Sequence, residues 1–489
     1  MEWPLHGYLE PAVETDWKGA VSVSSMSDIK RGRAAFALAA ILSADLIFRY
    51  LFLPEQVGGM EDAAVWRPLV DSFWRKLELN RGLLLPYEYE STRYLWLASS
   101  VFVAHFLENC LGTLGFYLLC SSLFVSTSFF LGLLITRSLT FAATLAFMFA
   151  FGTQLNYLHT YGTLIAKYLF LIYASINFSI ASLLVLGRIT GARWWAAFVV
   201  SLVIVALSND IWLNYAAGIV LAGVFGLLWA RRHGNEAVYN CSRSIVVATL
   251  GVLGCYLAIR LRYFHQYLTP GAEEEFIFTY RSGTLIVEDV IANFFTLLYM
   301  TLSNYLPSFV SSSNSLTYLD SQIIIAEQHG YHAAKGHLIV MSHHFLWRFY
   351  AGVGVTLFLS LMGWAMFSAW RKPEAIYAVI AVLALMVIAG FATHLMIKMR
   401  PYNTVPALPY KVIVSVTAWT VLVAYLTAMS AAWLRSRFAH HMLVTGVWAC
   451  VFVAALTRPG MQARLLEQVG LVGRGDPLAK LAHWLQLTW

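Results

Sequence analysis

An all-α, polytopic integral membrane protein with about eleven membrane-spanning helices is the fold class that this sequence predicts, and three observations carry the expectation. Hydrophobic residues make up 59% of the chain and Asp, Glu, Lys and Arg only 12%, against roughly 45–50% and 25% for a soluble domain. Apolar runs of spanning length alternate with short connections such as RITGARW, ARRHGNE and WRK. When the runs are threaded alternately through a bilayer, every second connection holds arginine, which is the bias that keeps a loop in the cytoplasm.

The elements follow in order. Residues 1–33 form a polar leader without an apolar core, so they do not read as a signal peptide. Lys30, Arg31 and Arg33 close it and hold that end in the cytoplasm. The membrane domain then runs over 34–457, with spans expected at 34–53, 112–136, 138–156, 163–187, 194–210, 212–230 and 244–262. Four more follow at 347–369, 374–396, 411–433 and 441–457. Inward connections fall at Arg137, Arg188–Arg193, Arg231–Arg243, Arg371–Lys372 and Arg435–Arg437. Outward segments are a first loop at 54–111, a long loop at 263–346, the stretch 397–410 and an amphipathic tail at 458–489.

The apolar stretch 286–309 is long enough to span, but a crossing there would put WRK and LRSR outside. It is therefore read as an interfacial or re-entrant helix packed against protein. The pattern VWRPLVDSFWRKLEL in the first outer loop likewise predicts helices lying on the interface. The net charge of +7 reads better as topology than as nucleic-acid binding, because arginine and lysine concentrate in short loops with no extended basic stripe interleaved with aromatics. No nucleic-acid partner is expected. Of the five cysteines, Cys120, Cys255 and Cys450 sit in apolar runs as small packing residues, while Cys110 and Cys241 lie near run ends.

Candidate site residues collect on the outer side. Glu61 and Asp62 follow the Gly58–Gly59 turn close to the membrane surface, where the plainer reading is a solvated helix start. Asp210, after Asn209, stands at a junction with almost no loop; it either caps the next helix or acts, since a carboxylate near the bilayer is costly. KMRPYNTVPALPYK places Arg400 and Lys411 on a face where the inside bias would not put them. Prolines 401, 406 and 409 keep that stretch extended, and Tyr402 and Tyr410 give it interfacial anchors. Arg400 has the chemistry for a phosphate at headgroup depth, and snorkelling is the alternative use of such cations.

The histidines 329, 332, 337, 343 and 344 lack a carboxylate or cysteine partner in a defined motif, so no metal site is assigned. Asp45 and Arg49, four apart on one helix face, are expected to pair with each other.

The layout resembles the GT-C glycosyltransferases, polytopic enzymes that use polyprenyl-phosphate sugars. PEQVGGMEDAAVW and WRPLVDSFWRKLELNRGLLLP stand where that superfamily has an acidic residue early in a large outer loop, followed by interfacial helices. The passage LVDSFWRKLELNRGLLLPYEYESTRYLWLASSVFVAHFLENCLGTLGFYLL looks like that of O-mannosyltransferase-like members. ALSNDIWLNYAAGIVL is similar to their short acidic junction, with Asn209-Asp210 in place of Lys-Glu. KMRPYNTVPALPY is similar to a late outer segment with an Arg-Tyr pair, here separated by Pro401.

The resemblance implies Asp62 as general base with Glu61 as neighbour or substitute, Asp210 orienting sugar or base, and Arg400 on the donor phosphate. Lys411 would assist Arg400, with Tyr402 beside it. It further implies a lipid, polysaccharide or protein acceptor, and a site on the extracytoplasmic face of a membrane read as a bacterial inner membrane. Some members use a divalent ion and others do not. Two other classes stay open: an O-antigen ligase or polymerase, with Arg281, His343 and His344 in one loop, and a transporter or flippase of lipid-linked glycans. A non-enzymatic scaffold is the third, separated from an enzyme by tolerance of change at Asp62 and Arg400.

Overall fold

The computed structural model describes residues 28–52, 103–152, 164–208, 212–267, 355–371, 383, 385–387, 413–434 and 436–456. All regular structure among them is α-helical. In chain order the helices are α1 (Asp28–Phe52), α2 (Val103–Thr136), α3 (Leu139–Phe151), α4 (Leu164–Val185) and α5 (Ala192–Ser208). They continue with α6 (Trp212–His233), α7 (Glu236–Tyr267), α8 (Val355–Arg371), α9 (Ile413–Trp433) and α10 (Arg437–Leu456). Residues 383 and 385–387 are also helical.

Four stretches of these helices are long and apolar enough to cross a membrane: Leu118–Thr136, Trp212–His233, Glu236–Ala258 and Arg437–Leu456. Large apolar side chains face outward, with Phe36 76% and Phe438 75% exposed. Water would penalise such a surface, and hydrocarbon does not. The described part of the chain is thus all-helical, and its long apolar helices are those of an integral membrane protein. The expected interfacial or re-entrant helix at 286–309, the interfacial helices expected before residue 103 and the tail at 458–489 lie outside the described residues.

Several boundaries differ from the hydropathy reading. α1 begins at Asp28, inside the expected leader, and α2 begins at Val103, inside the expected first outer loop. α7 starts at Glu236 rather than near residue 244, so Arg243 is a helical residue and the connection before it shrinks to two residues. The reason is common to all three. A helix continues wherever each N–H finds the carbonyl four residues back, and it does not stop where the hydrocarbon does. α3 is shorter than expected: its 13 residues cover about 20 Å at 1.5 Å per residue.

The turns are specified locally. After α4, Gly187 takes φ +64°; its N–H reaches Leu184 O at 3.0 Å and the Arg188 N–H reaches Leu183 O at 2.9 Å. After α6, Gly234 takes φ +64° and the Asn235 N–H reaches Ala230 O at 2.9 Å. These are glycine-terminated helix ends, where an L side chain would be strained. Asn235 then opens α7 by accepting the Val238 N–H on Oδ1 at 3.1 Å, and Ser138 opens α3 by accepting the Phe141 N–H at 3.2 Å.

Side-chain contacts bring these turns to one end of the bundle. Arg188 on the α4–α5 turn donates to the Ile135 carbonyl at 2.6 Å, near the end of α2. At the end of α6, Trp229 Nε1 donates to Ala369 O at 2.7 Å and Arg232 lies 4.9 Å from the Trp370 ring, near the end of α8. α10 runs beside α3 in the same direction: Trp448 Nε1 donates to Thr144 Oγ1 at 3.2 Å, and Phe452 meets Phe151 at 5.4 Å. Arg137, Arg188, Arg232, Arg371 and Arg437 therefore share an end. Phe52, Ser208, Trp212 and Ile413 belong to the opposite one.

α6 and α7 approach through small residues. A Cβ on Gly223 would collide with Val246 Cγ2, and one on Gly226 would sit 2.5 Å from Ser242 Oγ. Close backbone approach of this kind replaces the hydrophobic drive that helices lack inside a bilayer. Gly223→Val is expected to lower stability by about 1–3 kcal/mol through overpacking. Gly446→Ala, where nothing lies within 4 Å, is expected to be neutral or slightly stabilising. Thermal melts of both variants in the same detergent check the pair.

Candidate functional site

The residues singled out for chemistry lie outside the described residues: Glu61, Asp62, Asp210, Arg400, Tyr402 and Lys411. What the structure describes is the set of helix ends from which they depart. Asp210 stands between the last residue of α5, Ser208, and the first of α6, Trp212. Glu61 and Asp62 follow α1, and Arg400, Tyr402 and Lys411 precede α9. Those helix ends belong to one end of the bundle, opposite the arginine-bearing turns. The histidines of the long outer loop also lie outside the described residues, and among the described ones no three His, Cys, Asp or Glu side chains are grouped to hold a metal.

One charged constellation lies within the described residues, close to the C-terminal end of α1. Asp45 is 0% exposed and Arg49 2%. Arg49 Nε donates to Asp45 Oδ1 at 2.6 Å, as their spacing of one helical turn predicts. Ser121 on α2 donates to the second carboxylate oxygen at 2.8 Å. Arg49 Nη2 donates to Ala150 O at the end of α3, at 3.1 Å. Phe48 closes one side against Phe151 at 5.1 Å and Phe452 at 6.1 Å. Three helices are thus tied through one buried ion pair, one turn before α1 ends.

Sequence reasoning anticipated the pair itself and missed its partners, because Ser121 and Ala150 are far along the chain and carry no charge.

A second polar network went unread. Asn177 on α4 is fully buried; its Nδ2 donates to Ser201 Oγ at 2.8 Å and to Phe198 O at 3.0 Å on α5. Its Oδ1 accepts from the Tyr215 hydroxyl of α6 at 2.7 Å. One amide therefore holds three consecutive helices together. An asparagine inside the run LIYASINFSIASLL was the signal available for it.

Two buried polar atoms among the described residues have no hydrogen-bond partner: Ser128 Oγ and Trp212 Nε1. Trp212 opens α6 directly after the Asn209-Asp210 junction and packs edge-on to Tyr256 at 5.6 Å. The cysteines are all free. Cys120 is buried in the core as expected, whereas Cys255 and Cys450 lie exposed on their helices rather than packed inside.

With this geometry in place, the chain can be set beside other proteins. No family model, no curated protein and no solved structure matches it.

The ion pair makes its own prediction. Arg49→Met leaves the Asp45 carboxylate buried and should cost about 3–5 kcal/mol, whereas the double change Asp45→Leu/Arg49→Met should cost less than the sum of the two single changes. Chemical denaturation of the four proteins in one detergent measures the coupling; additive losses would remove the pair from the account of stability.

Proposed function

We propose that the chain is a membrane glycosyltransferase that moves a sugar from a polyprenyl-phosphate donor to an envelope acceptor on the extracytoplasmic face. The observation that carries this reading is a shared end. The segments holding Glu61 and Asp62, Asp210, and Arg400 with Lys411 all join helices at the end opposite the arginine-bearing turns. Carboxylates and an arginine on one membrane face are what transfer from a lipid phosphate needs. The sequence resemblance to GT-C enzymes supports the same reading, with about eleven spans in a GT-C-like arrangement. The inside bias of arginine supports a cytoplasmic N-terminus, and the lean use of cysteine supports a bacterial inner membrane as the setting of this reading.

In the proposed step, Asp62 takes the proton of the acceptor hydroxyl as its oxygen attacks the anomeric carbon. The bond from that carbon to the phosphate oxygen breaks, and Arg400, aided by Lys411 and Tyr402, stabilises the departing polyprenyl phosphate. Asp210 orients the sugar or the base, and Glu61 stands beside Asp62 as a possible substitute. A single base without a second nucleophile gives inversion at the anomeric centre. The acceptor is a lipid, a polysaccharide or a protein of the envelope.

The test uses membranes carrying the parent protein, Asp62→Asn or Arg400→Ala, with radiolabelled polyprenyl-phosphate hexose and pentose donors and an envelope-lipid extract. Loss of the general base should slow transfer about 100-fold or more, and loss of the phosphate ligand by a comparable factor, at unchanged protein levels. No donor turnover by the parent, or turnover indifferent to both changes, would overturn the assignment and favour a ligase or a transporter.

A further inference from the structure

A cavity of about 100 Å³ lies among α2, α3, α4 and α9, with Tyr215 of α6 and Leu383 and Met386 also on its wall. Ser128 and Thr136 of α2, Phe170 and Ser175 of α4, and Val414 and Tyr425 of α9 mark its extent. From Val414 to Tyr425 it follows α9 for about 16 Å at 1.5 Å per residue. A nearly apolar cavity of such volume stays dry and accepts hydrocarbon. Its lining extends over more than two turns of each of α2, α4 and α9, the direction in which an acyl chain lies beside helices.

The lining reaches Thr136, and the next residue is Arg137. Arg137 is the one non-glycine residue with positive φ among those described, at +57°. Glycine would occupy this position without strain, so the local backbone gives no reason for a long cationic side chain. Arg188 sits against the same helix end, donating through one nitrogen to the carbonyls of Ile135 and Leu134. Its pKa is lowered, first by partial burial and then by the positive charge of Arg137, so the two guanidinium groups are close enough to feel each other. Neither turn, 137–138 or 186–191, contains a carboxylate to neutralise them.

We propose that this place binds an anionic phospholipid from the leaflet at the arginine-bearing end, with its phosphate between Arg137 and Arg188 and one acyl chain in the cavity beyond Thr136. Charge selects the headgroup: two adjacent cations at the end of an apolar channel match a phosphate joined to a hydrocarbon chain. The repulsion between the arginines, which neither turn answers with a carboxylate of its own, is relieved when the phosphate arrives. The helix end to which Arg188 is bonded is then held between lipid and protein. The site lies at the end opposite the one assigned to sugar transfer and does not rest on that assignment.

The experiment uses the full chain, delipidated in neutral detergent, and titrates it with dioleoyl phosphatidylglycerol, dioleoyl phosphatidylcholine or glycerol 3-phosphate. Bound lipid is counted by native mass spectrometry and melting temperature is followed in parallel. The phosphatidylglycerol should bind about tenfold or more tighter than the phosphatidylcholine, through its unneutralised charge, and glycerol 3-phosphate should not shift the melt. Arg137→Gly should retain or raise the melting temperature of the lipid-free protein while bringing the two lipids to similar affinity. Ser175→Leu, which fills the cavity, should weaken both lipids and leave the preference between them. Equal binding of the two lipids by the parent, a preference that survives Arg137→Gly, indifference to Ser175→Leu, or a headgroup that binds as well as the lipid would each overturn the proposal.

Discussion

The constraint on which everything else depends is the absence of water along the apolar faces of the described helices. A backbone in hydrocarbon has to satisfy its own N–H and C=O groups, and among single-chain segments only the helix does so. The same demand reaches the side chains. Thr249, Thr420 and Thr427 each donate to the carbonyl four residues back, at 2.7–2.9 Å, so their hydroxyls are satisfied within their own helix. The polar groups that cannot be satisfied locally are satisfied across helices instead, and those bonds locate the helices relative to one another. Asp45 and Arg49 tie α1 to α2 and α3; Asn177 ties α4 to α5 and α6. Packing alone is weakly directional in such a bundle, whereas these bonds have one correct partner each.

Hydropathy made the helices legible because a span has to be apolar over its whole length, and α6, α9 and α10 follow their apolar runs closely. It misjudged the start of α7 for a physical reason. The first turns of that helix, EAVYNCSRS, are too polar for hydropathy to register, and the signal for their helicity lay in Gly234 and Asn235. Local capping chemistry predicts a helix end better than hydropathy does wherever the end is wet. The Asp45–Arg49 pair could be anticipated because both members are charged and one turn apart. Ser121, Asn177 and the contact of Gly223 with α7 depend on which helices neighbour one another, and no local pattern encodes that. The carboxylates and arginine assigned to sugar transfer rest on sequence layout and on the helix ends they adjoin.

The two ends of the bundle are built differently. At the arginine-bearing end the connections are short and internally bonded: residues 137–138 join α2 to α3, 186–191 join α4 to α5, and 234–235 join α6 to α7. Arg188 reinforces that end by bonding the carbonyls left over at the close of α2, a role suited to a cation at a helix C-terminus. A close, multiply bonded end resists relative movement of its helices. At the other end the chain commits long segments between α1 and α2, between α7 and α8, and before α9.

That asymmetry gives the buried ion pair a consequence beyond stability. Placing Asp45 and Arg49 in hydrocarbon costs a few kcal/mol for each charge unless they are answered, and a leucine pair would pack α1 with no such demand. What a leucine pair could not supply is direction. The carboxylate accepts from α2 on one side while the guanidinium reaches the last turn of α3 on another. The end of α1 is thereby fixed in rotation and in height against both neighbours. Because the pair stands one turn before Phe52, the fixed point is also the departure point of the segment carrying Glu61 and Asp62. A buried pair retained at this level specifies where that segment begins, and any chemistry on the segment inherits its reference position from it.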